Sequence, residues 1–415
     1  MIEISLFEQD GMEGERVSSV AVFKDKLFVA EVFANPLQEK DLIRISRYTF
    51  SDSLWQEVYH SFMTRDRWQD VSTQQNPENN PVGDISEEKE KFKSPSSHIV
   101  IAPQCIGMSE CLYIRFVTSI QTCLLCSENG NDFRSVEVAP AYIGALFSSH
   151  KFLAFQDYLY TLPPVSSSQT FQEENHIAIQ VYAPEEVPQW RATHPLDFGD
   201  QSNLAVSELV VFKNSLYAAT LNTEKGFQVW GLENSDSRAL NWQPILIDGA
   251  YRYALNQQVT KMLPFKGELY IASGLQLKKG KEHENKSYPA GFEILRIYPD
   301  GDWDIIIGNP KFTQDGLKVP LSAQGSGFND PYSCFIECFD TAQGYLYLGT
   351  QSLEGFQLWR SQDGESWELL PLSEELGRNY QVTVQNTMPT SWGLVFSMNT
   401  VESNGSKKLR IWLFN

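Results

Sequence analysis

Apolar residues in this chain come in short bursts separated by polar turns, and the bursts repeat. Each repeat holds an apolar strand, a turn, a second strand reading LY or its equivalent, a loop, and a third strand often ending in Trp. The clearest copies are LYAATLNTEKGFQVW (216–230) and LYLGTQSLEGFQLW (346–359). Others begin at KLFVAEVF (26–33), CLYIRFV (111–117), YLYTLPPV (158–165), LYIASGL (269–275) and GLVFSMNT (393–400). Fourth strands follow several of them, from Trp55, Phe133, Trp242, Trp303 and Trp367. No segment sustains a helical period beyond a turn or two. Seven repeats of about sixty residues predict an all-β chain folded as one seven-bladed β-propeller over 1–415.

The two ends support closure. The last repeat has three strands, VTVQNTM (382–388), GLVFSMN (393–399) and KLRIWLF (408–414), and lacks its outermost one. A spare strand, IEISLF (2–7), precedes the first repeat. Pairing 2–7 with 408–414 completes the last blade and covers an edge otherwise left open. Long intervals between repeats hold insertions: a polar stretch at 61–97, expected as a surface excursion, and loops at 275–290 and 308–330.

Charge narrows the partners. The chain carries 33 Lys and Arg against 52 Asp and Glu, a net charge of −19. Nucleic acid and anionic membranes call for a basic footprint, so neither is an expected partner. The start, MIEISLFEQD, is not a signal peptide as written, and no apolar run is long enough to span a bilayer. The six cysteines, including Cys123 and Cys126 in a CxxC, sit in apolar, strand-like surroundings. They read as buried thiols rather than a metal or redox site, which points to the cytoplasm. No metal and no cofactor are expected.

Two short segments look like hairpin turns between third and fourth strands. SQDGESW (361–367) resembles the Asp-box found in many propellers, and SENGNDF (127–133) a worn copy of it. In such a turn a short polar side chain caps the backbone, Gly takes positive φ and the aromatic packs between blades. These turns bear on fold rather than chemistry.

Candidate chemistry gathers on the first strands and the loops entering them. Counting four residues back from Phe155, Phe212 and Phe265 gives Lys151, Glu208 and Lys261, three charges on successive first strands. They read either as a structural network lining a water-filled channel or as a tuned site. Glu337, in CFIECF, is a further carboxylate on such a strand and a candidate general base. The entering loops GAYRYALNQ (249–257), GSGFNDPYS (325–333) and GRNYQ (377–381) bring Tyr251, Arg252, Tyr253, Asn329, Asp330, Tyr332 and Tyr380 toward one mouth. Arg115 is a polar side chain in a second strand that is otherwise small or apolar. In a small-molecule site Arg252 would orient or stabilise an anion and Asp330 or Glu337 would act as base. Arg252→Ala is then expected to cost no more than about 1 kcal/mol, as an ordinary surface substitution does. The alternative is ordinary loop packing. No hydrolase, zinc-protease, P-loop or dinucleotide motif is present.

The blade pattern LYxxTxNxxxGFQxW, followed by RSxDGxxW at 360–367, resembles the propeller part of cyanobacterial alkylresorcinol-alkylating, cylindrocyclophane-forming enzymes. The resemblance implies a seven-bladed propeller and a mouth that alkylates aromatic rings with alkyl halides. It specifies the blade, and the calcium-binding domain of those enzymes has no counterpart here. Two readings stay open: an enzyme that alkylates or cyclises an aromatic or polyketide-like small molecule, and a non-catalytic scaffold for a protein partner. An apolar pocket with convergent Tyr, Arg and Asp favours the first, and a flat apolar patch favours the second.

Overall fold

A computed structural model of the chain describes residues 2–4, 15–35, 40–64, 98–106, 109–117, 122–135, 151–155, 158–162, 179–182, 190–192, 198–233, 241–275, 290–352, 355–372, 383–401 and 407–414. The chain divides into two compact units. One comprises Met1–Ser5, Cys105–Met108 and Ala139–Asn415, and the other Leu6–Gln104 and Ser109–Val138. The described residues are almost wholly β, with one helical turn at Asp248–Tyr251 and short 3-10 turns. Among them no helix is long and apolar enough to cross a membrane.

Strand β1 (Ile2–Ile4) belongs to the larger unit and is taken up below. In the smaller unit, β2 (Glu15–Phe23), β3 (Lys26–Asn35), β4 (Lys40–Thr49) and β5 (Leu54–Thr64) form an antiparallel sheet in chain order. A second sheet is built from β6 (His98–Ile106), β7 (Ser109–Val117), β8 (Thr122–Ser127) and β9 (Arg134–Ser135). Phe28, Ala30 and Ile45 of the first sheet share one core with Leu112, Ile114 and Leu125 of the second. The polar excursion expected from residue 61 starts later. Ser61–Thr64 extend β5 by pairing with Lys40–Ile43, and 65–97 lie outside the described residues.

The larger unit continues the pattern. Its next sheet holds β10 (Lys151–Phe155), β11 (Tyr158–Leu162), β12 (Gln180–Tyr182) and β13 (Trp190–Ala192). An eight-stranded sheet follows, made of two four-stranded sets that touch through one pair, Leu221 and Gln258. The first set is β14 (Ala205–Phe212), β15 (Ser215–Leu221), β16 (Val229–Glu233) and β17 (Asn241–Leu246). The second is β18 (Gln258–Phe265), β19 (Glu268–Gly274), β20 (Glu293–Ile297) and β21 (Trp303–Ile307). A two-stranded hairpin, β22 (Lys311–Thr313) and β23 (Gly316–Lys318), occupies part of the 308–330 insertion. Then come β24 (Phe335–Ala342), β25 (Tyr345–Ser352), β26 (Gly355–Ser361) and β27 (Glu368–Leu369). The last sheet has the order β1, β30 (Lys407–Phe414), β29 (Gly393–Val401), β28 (Thr383–Thr390). Ile2, Glu3 and Ile4 pair antiparallel with Leu413, Trp412 and Ile411, while 5–7 lie outside the described residues.

The near-continuous apolar strands follow from this packing. Each middle sheet of the larger unit is covered on both faces, so alternate residues of one strand enter different cores. Leu216 and Ala218 of β15 pack toward Phe155 and Tyr160, whereas Ala219 joins Met262, Ile271 and Trp303. The Leu of the LY repeat anchors this arrangement. Leu27, Leu112, Leu216, Leu269, Leu346 and Leu394 are all fully buried. Of the cysteines, Cys126 and Cys338 are buried free thiols, but Cys334 is only partly covered. It precedes β24 in a loop, where its Sγ donates to Pro331 O at 3.4 Å.

Candidate functional site

Three repeats carry a Gly–Phe–Gln or Gly–Phe–Glu tripeptide at or just before the third strand: Gly226–Phe227–Gln228, Gly291–Phe292–Glu293 and Gly355–Phe356–Gln357. Each Phe is buried, and Gly226 and Gly291 permit close backbone approach. A Cβ on Gly291 would stand 2.8 Å from the backbone nitrogen of Gly327. The loops entering β18 and β24 dock on these tripeptides in the same way. Gly249 N donates to Phe227 O at 3.0 Å and Phe227 N donates to Asn256 O at 2.9 Å. In the next repeat Gly327 N donates to Phe292 O at 2.9 Å and Phe292 N to Ser333 O at 3.0 Å. Both loops turn through a run of left-handed residues, Asp248–Tyr251 in the first and Gly327–Asn329 in the second. For Ala250 and Phe328 that conformation is strained, and packing holds it. Ala250 is buried, and Phe328 stacks on Trp359 with ring centroids 3.9 Å apart.

Behind the loops lies a layer of buried polar side chains. In one repeat Gln228 accepts from Asn203 Nδ2 at 2.9 Å and from Trp230 Nε1 at 3.0 Å, and donates to Asp200 at 2.9 Å. The next repeat has Glu293 in that place, with no exposed surface at all. Its Oε2 accepts from Lys311 Nζ at 2.6 Å and from Asn256 Nδ2 at 2.7 Å. Its Oε1 accepts from Asn309 N at 3.3 Å and lies 3.8 Å from Arg252 Nε. Lys311 Nζ also donates to Ala250 O at 3.0 Å. Burial pushes the Lys311 ammonium down, against the pull of Glu293. In the third repeat Gln357 accepts from Trp359 Nε1 at 3.4 Å.

Arg252 is therefore not an ordinary surface residue. It donates to Gly291 O at 2.7 Å and to Asn256 Oδ1 at 3.1 Å, and its side chain is largely buried against Glu293. The expected small cost of Arg252→Ala does not fit this setting, because the substitution removes bonds from groups that water cannot reach. Tyr251 is half-buried and stacks on Trp303, with centroids 6.3 Å apart. Tyr253 and Tyr332 are exposed. Asn329 braces its own loop, donating to Gln324 Oε1 at 2.6 Å and accepting from Gly325 N at 2.8 Å. Asp330 Oδ1 caps Tyr332 N at 2.9 Å. Arg252 and Asp330 both act on the thiol of Cys334, in opposite directions, and burial raises it most.

Glu337 is placed elsewhere. It sits at a bulge of β24 between Ile336 and Cys338, and its Oε2 accepts from Val384 N of β28 at 3.2 Å. Burial holds the Cys338 thiol well above its ordinary range, helped by Asp340 and Glu337 and opposed by Lys261. Glu208 is buried and accepts from Leu209 N at 2.8 Å. Arg115 pairs with Leu124 and Lys151 with Leu162 through the backbone. Tyr380 lies outside the described residues. Among the described residues no cluster of three or more His, Cys, Asp or Glu is arranged to hold a metal ion. Sequence reading missed Glu293 and Lys311, the centre of the arrangement. The available signal was a charge at the position that two sister repeats fill with Gln.

No protein-family model matches the chain, and no curated protein does. Among solved structures, an acylaminoacyl peptidase of Pyrococcus horikoshii has a TM-score of 0.47 and 9% identity over 95% of this chain and 51% of that one. Oligopeptidase B from Trypanosoma brucei gives 0.45 and 9%, over 96% and 49%. The β-propeller domain of the Trilobed protease from Pyrococcus furiosus gives 0.44 and 8%, over 96% and 95%. The chain spans about half the length of the first of these peptidases. Likeness at this level assigns neither activity nor site.

Proposed function

We propose that the chain is a seven-bladed β-propeller, closed by β1 in the last sheet, that serves as a docking platform for a protein partner. The four-stranded sets and the β1–β30 pairing support the architecture. The observation that carries the function is the hairpin β22–β23. Phe312 is 82% exposed and stands opposite Leu317, itself 57% exposed, with Val319 and Leu321 exposed just beyond. The hairpin is pinned at both strands. Lys311 is held by Glu293 and Ala250, and Lys318 Nζ donates to Trp303 O at 2.5 Å and to Asp302 at 3.2 Å. A fixed apolar knob facing water is a feature of interaction surfaces. The net charge of −19 selects a partner with a basic rim around an apolar socket.

The other reading is an enzyme alkylating or cyclising an aromatic small molecule. It rests on Tyr253, Asp330 and Tyr332 in loops that meet at Gly291. Arg252 is a poor anion-stabilising group for it, because Nη1 is committed to Gly291 O and Asn256 Oδ1 and Nε lies against Glu293. One experiment separates the two. Proteins crosslinked to the wild-type chain are compared with those crosslinked to Phe312→Ser/Leu317→Ser, and the lost protein is purified and titrated by calorimetry. Docking predicts binding that is abolished by the double substitution and weakened by salt. An unchanged set of crosslinked proteins overturns docking, and a compound whose binding needs Asp330 but not Phe312 favours the enzyme.

A further inference from the structure

The turn at Ser127–Phe133 is a near copy of the one at Ser361–Trp367, with one inversion. In the later turn Gly364 N donates to Ser361 Oγ at 2.8 Å, and Asp363 Oδ1 accepts from Glu365 N and Ser366 N. Asp363 Oδ2 accepts from Ser366 Oγ at 2.8 Å. In the earlier turn Gly130 N donates to Ser127 Oγ at 2.9 Å, and Asn129 Oδ1 accepts from Asn131 N and Asp132 N. The last contact is reversed: Asn129 Nδ2 donates to Asp132 Oδ2 at 2.7 Å. An acceptor at the third position and a donor at the sixth have exchanged places, and an amide is required where the sister turn carries an acid.

Asn129 is also followed by Gly130, whose missing side chain leaves its backbone nitrogen open to attack on a neighbouring carbonyl carbon. We propose that Asn129 is a deamidation site gated by its own turn, and that its conversion to an acid stops the turn from closing again. In the closed turn the reacting groups are withheld. The Gly130 nitrogen is committed to Ser127, and the Asn129 amide is fixed by two backbone N–H groups and Asp132. Once the turn opens, Gly130 N loses its proton to water and bonds to Asn129 Cγ. The Cγ–Nδ2 bond breaks and ammonia leaves, giving a cyclic imide. Water then opens the imide at either carbonyl to an aspartyl or isoaspartyl residue, with no oxidant or reductant involved. An aspartate at 129 puts its carboxylate against that of Asp132, where a donor stood before. The consequence reaches the core of the smaller unit. Gly130 lies directly on the buried ring of Phe28, and a Cβ there would stand 2.6 Å from Phe28 Cζ. A turn that cannot close uncovers Phe28 and loosens the packing of β3 on the second sheet.

The test follows the peptide carrying residue 129 by mass spectrometry while the full chain is held at mildly alkaline pH. Ser127→Ala removes the bond that holds Gly130 N and should speed conversion about fivefold, the effect of one net hydrogen bond on the open population. Should that variant fail to fold, wild-type chain in sub-denaturing urea takes its place, and conversion should rise with urea. Asn129→Asp should lower the melting temperature and expose Phe28 to hydrogen exchange in its strand. Asn129→Asp/Asp132→Ser, which recreates the donor and acceptor order of the sister turn, should restore both. A conversion rate indifferent to Ser127 and urea, or an Asn129→Asp chain that melts like wild type, overturns the proposal.

Discussion

Glu293 stands where sister repeats carry Gln228 and Gln357, and the difference fixes what must surround it. A buried glutamine is satisfied by neutral donors such as Asn203 Nδ2 and Trp230 Nε1. A buried carboxylate is not, and here Lys311 and Arg252 supply the balancing charge. Removing one partner leaves the other charged and dry. Lys311→Met should therefore destabilise the chain by about 3 kcal/mol, read as a shift of the denaturation midpoint at constant slope. Adding Glu293→Gln should recover much of that loss, because the uncompensated charge goes with it. A single Lys311→Met as stable as wild type would show that Glu293 does not depend on the ammonium. Sequence reading placed Arg252 in the right loop but not with its true partners. The Arg252–Gly291, Lys311–Glu293 and Lys311–Ala250 contacts are all long-range, and spacing along one repeat carries no information about them.

Strands and turns were more legible than the contacts between loops. The LY repeats located the second strands because a strand whose sheet is covered on both faces has to be apolar at successive positions. First strands were harder to align. In β14, β18, β24 and β28 the register slips between Val206 and Glu208, Val259 and Lys261, Ile336 and Cys338, and Val384 and Asn386. A bulge at the same place in four repeats turns one residue out of the ladder. Ser207 and Thr260 there donate to Ala219 O and Ala272 O, while Glu337 reaches Val384 N. Ser, Thr and Glu share no composition signature, so counting from the Phe could not reveal the bulge. A third turn carries no serine to mark it in the sequence. At Tyr298–Trp303 the serine is replaced, and Gly301 N donates to Tyr298 O instead of a hydroxyl. The Ser361 turn makes its own prediction. Burial raises the Asp363 carboxyl, but hydrogen bonds from Ser366, Glu365 and Ser361 outweigh it and hold the group at about 2, below its ordinary 3.8. A depressed carboxyl contributes stability that is full above the unfolded value and lost as pH falls through the folded one. Wild type should lose stability relative to Asp363→Asn between about pH 4 and pH 2, followed by thermal melting across that window. A difference between the two that is flat with pH would mean the turn does not favour the ionised form.

At the scale of the whole molecule, the pairing of β1 with β30 decides whether the larger unit presents an open edge. Without β1, the last sheet would end at β30, and the row Ile411–Trp412–Leu413 would face solvent with unpaired backbone groups. An apolar edge strand of that kind templates pairing with another chain. Ile2 and Ile4 alternate with Glu3, and Ile4 is buried, so β1 covers the edge with backbone bonds and one apolar side chain at least. Removing residues 1–5 should lower the melting temperature and cause self-association that grows with protein concentration, measured by light scattering after size-exclusion chromatography. Because the contribution is mainly strand pairing, a synthetic peptide of sequence MIEISLF added in trans should suppress the association, as a donor strand does for an open sheet. A peptide with Ile2 and Ile4 replaced by Asp should not. If the truncated chain stays monomeric and melts as the full chain does, β1 is dispensable, and closure of the last sheet must come from elsewhere.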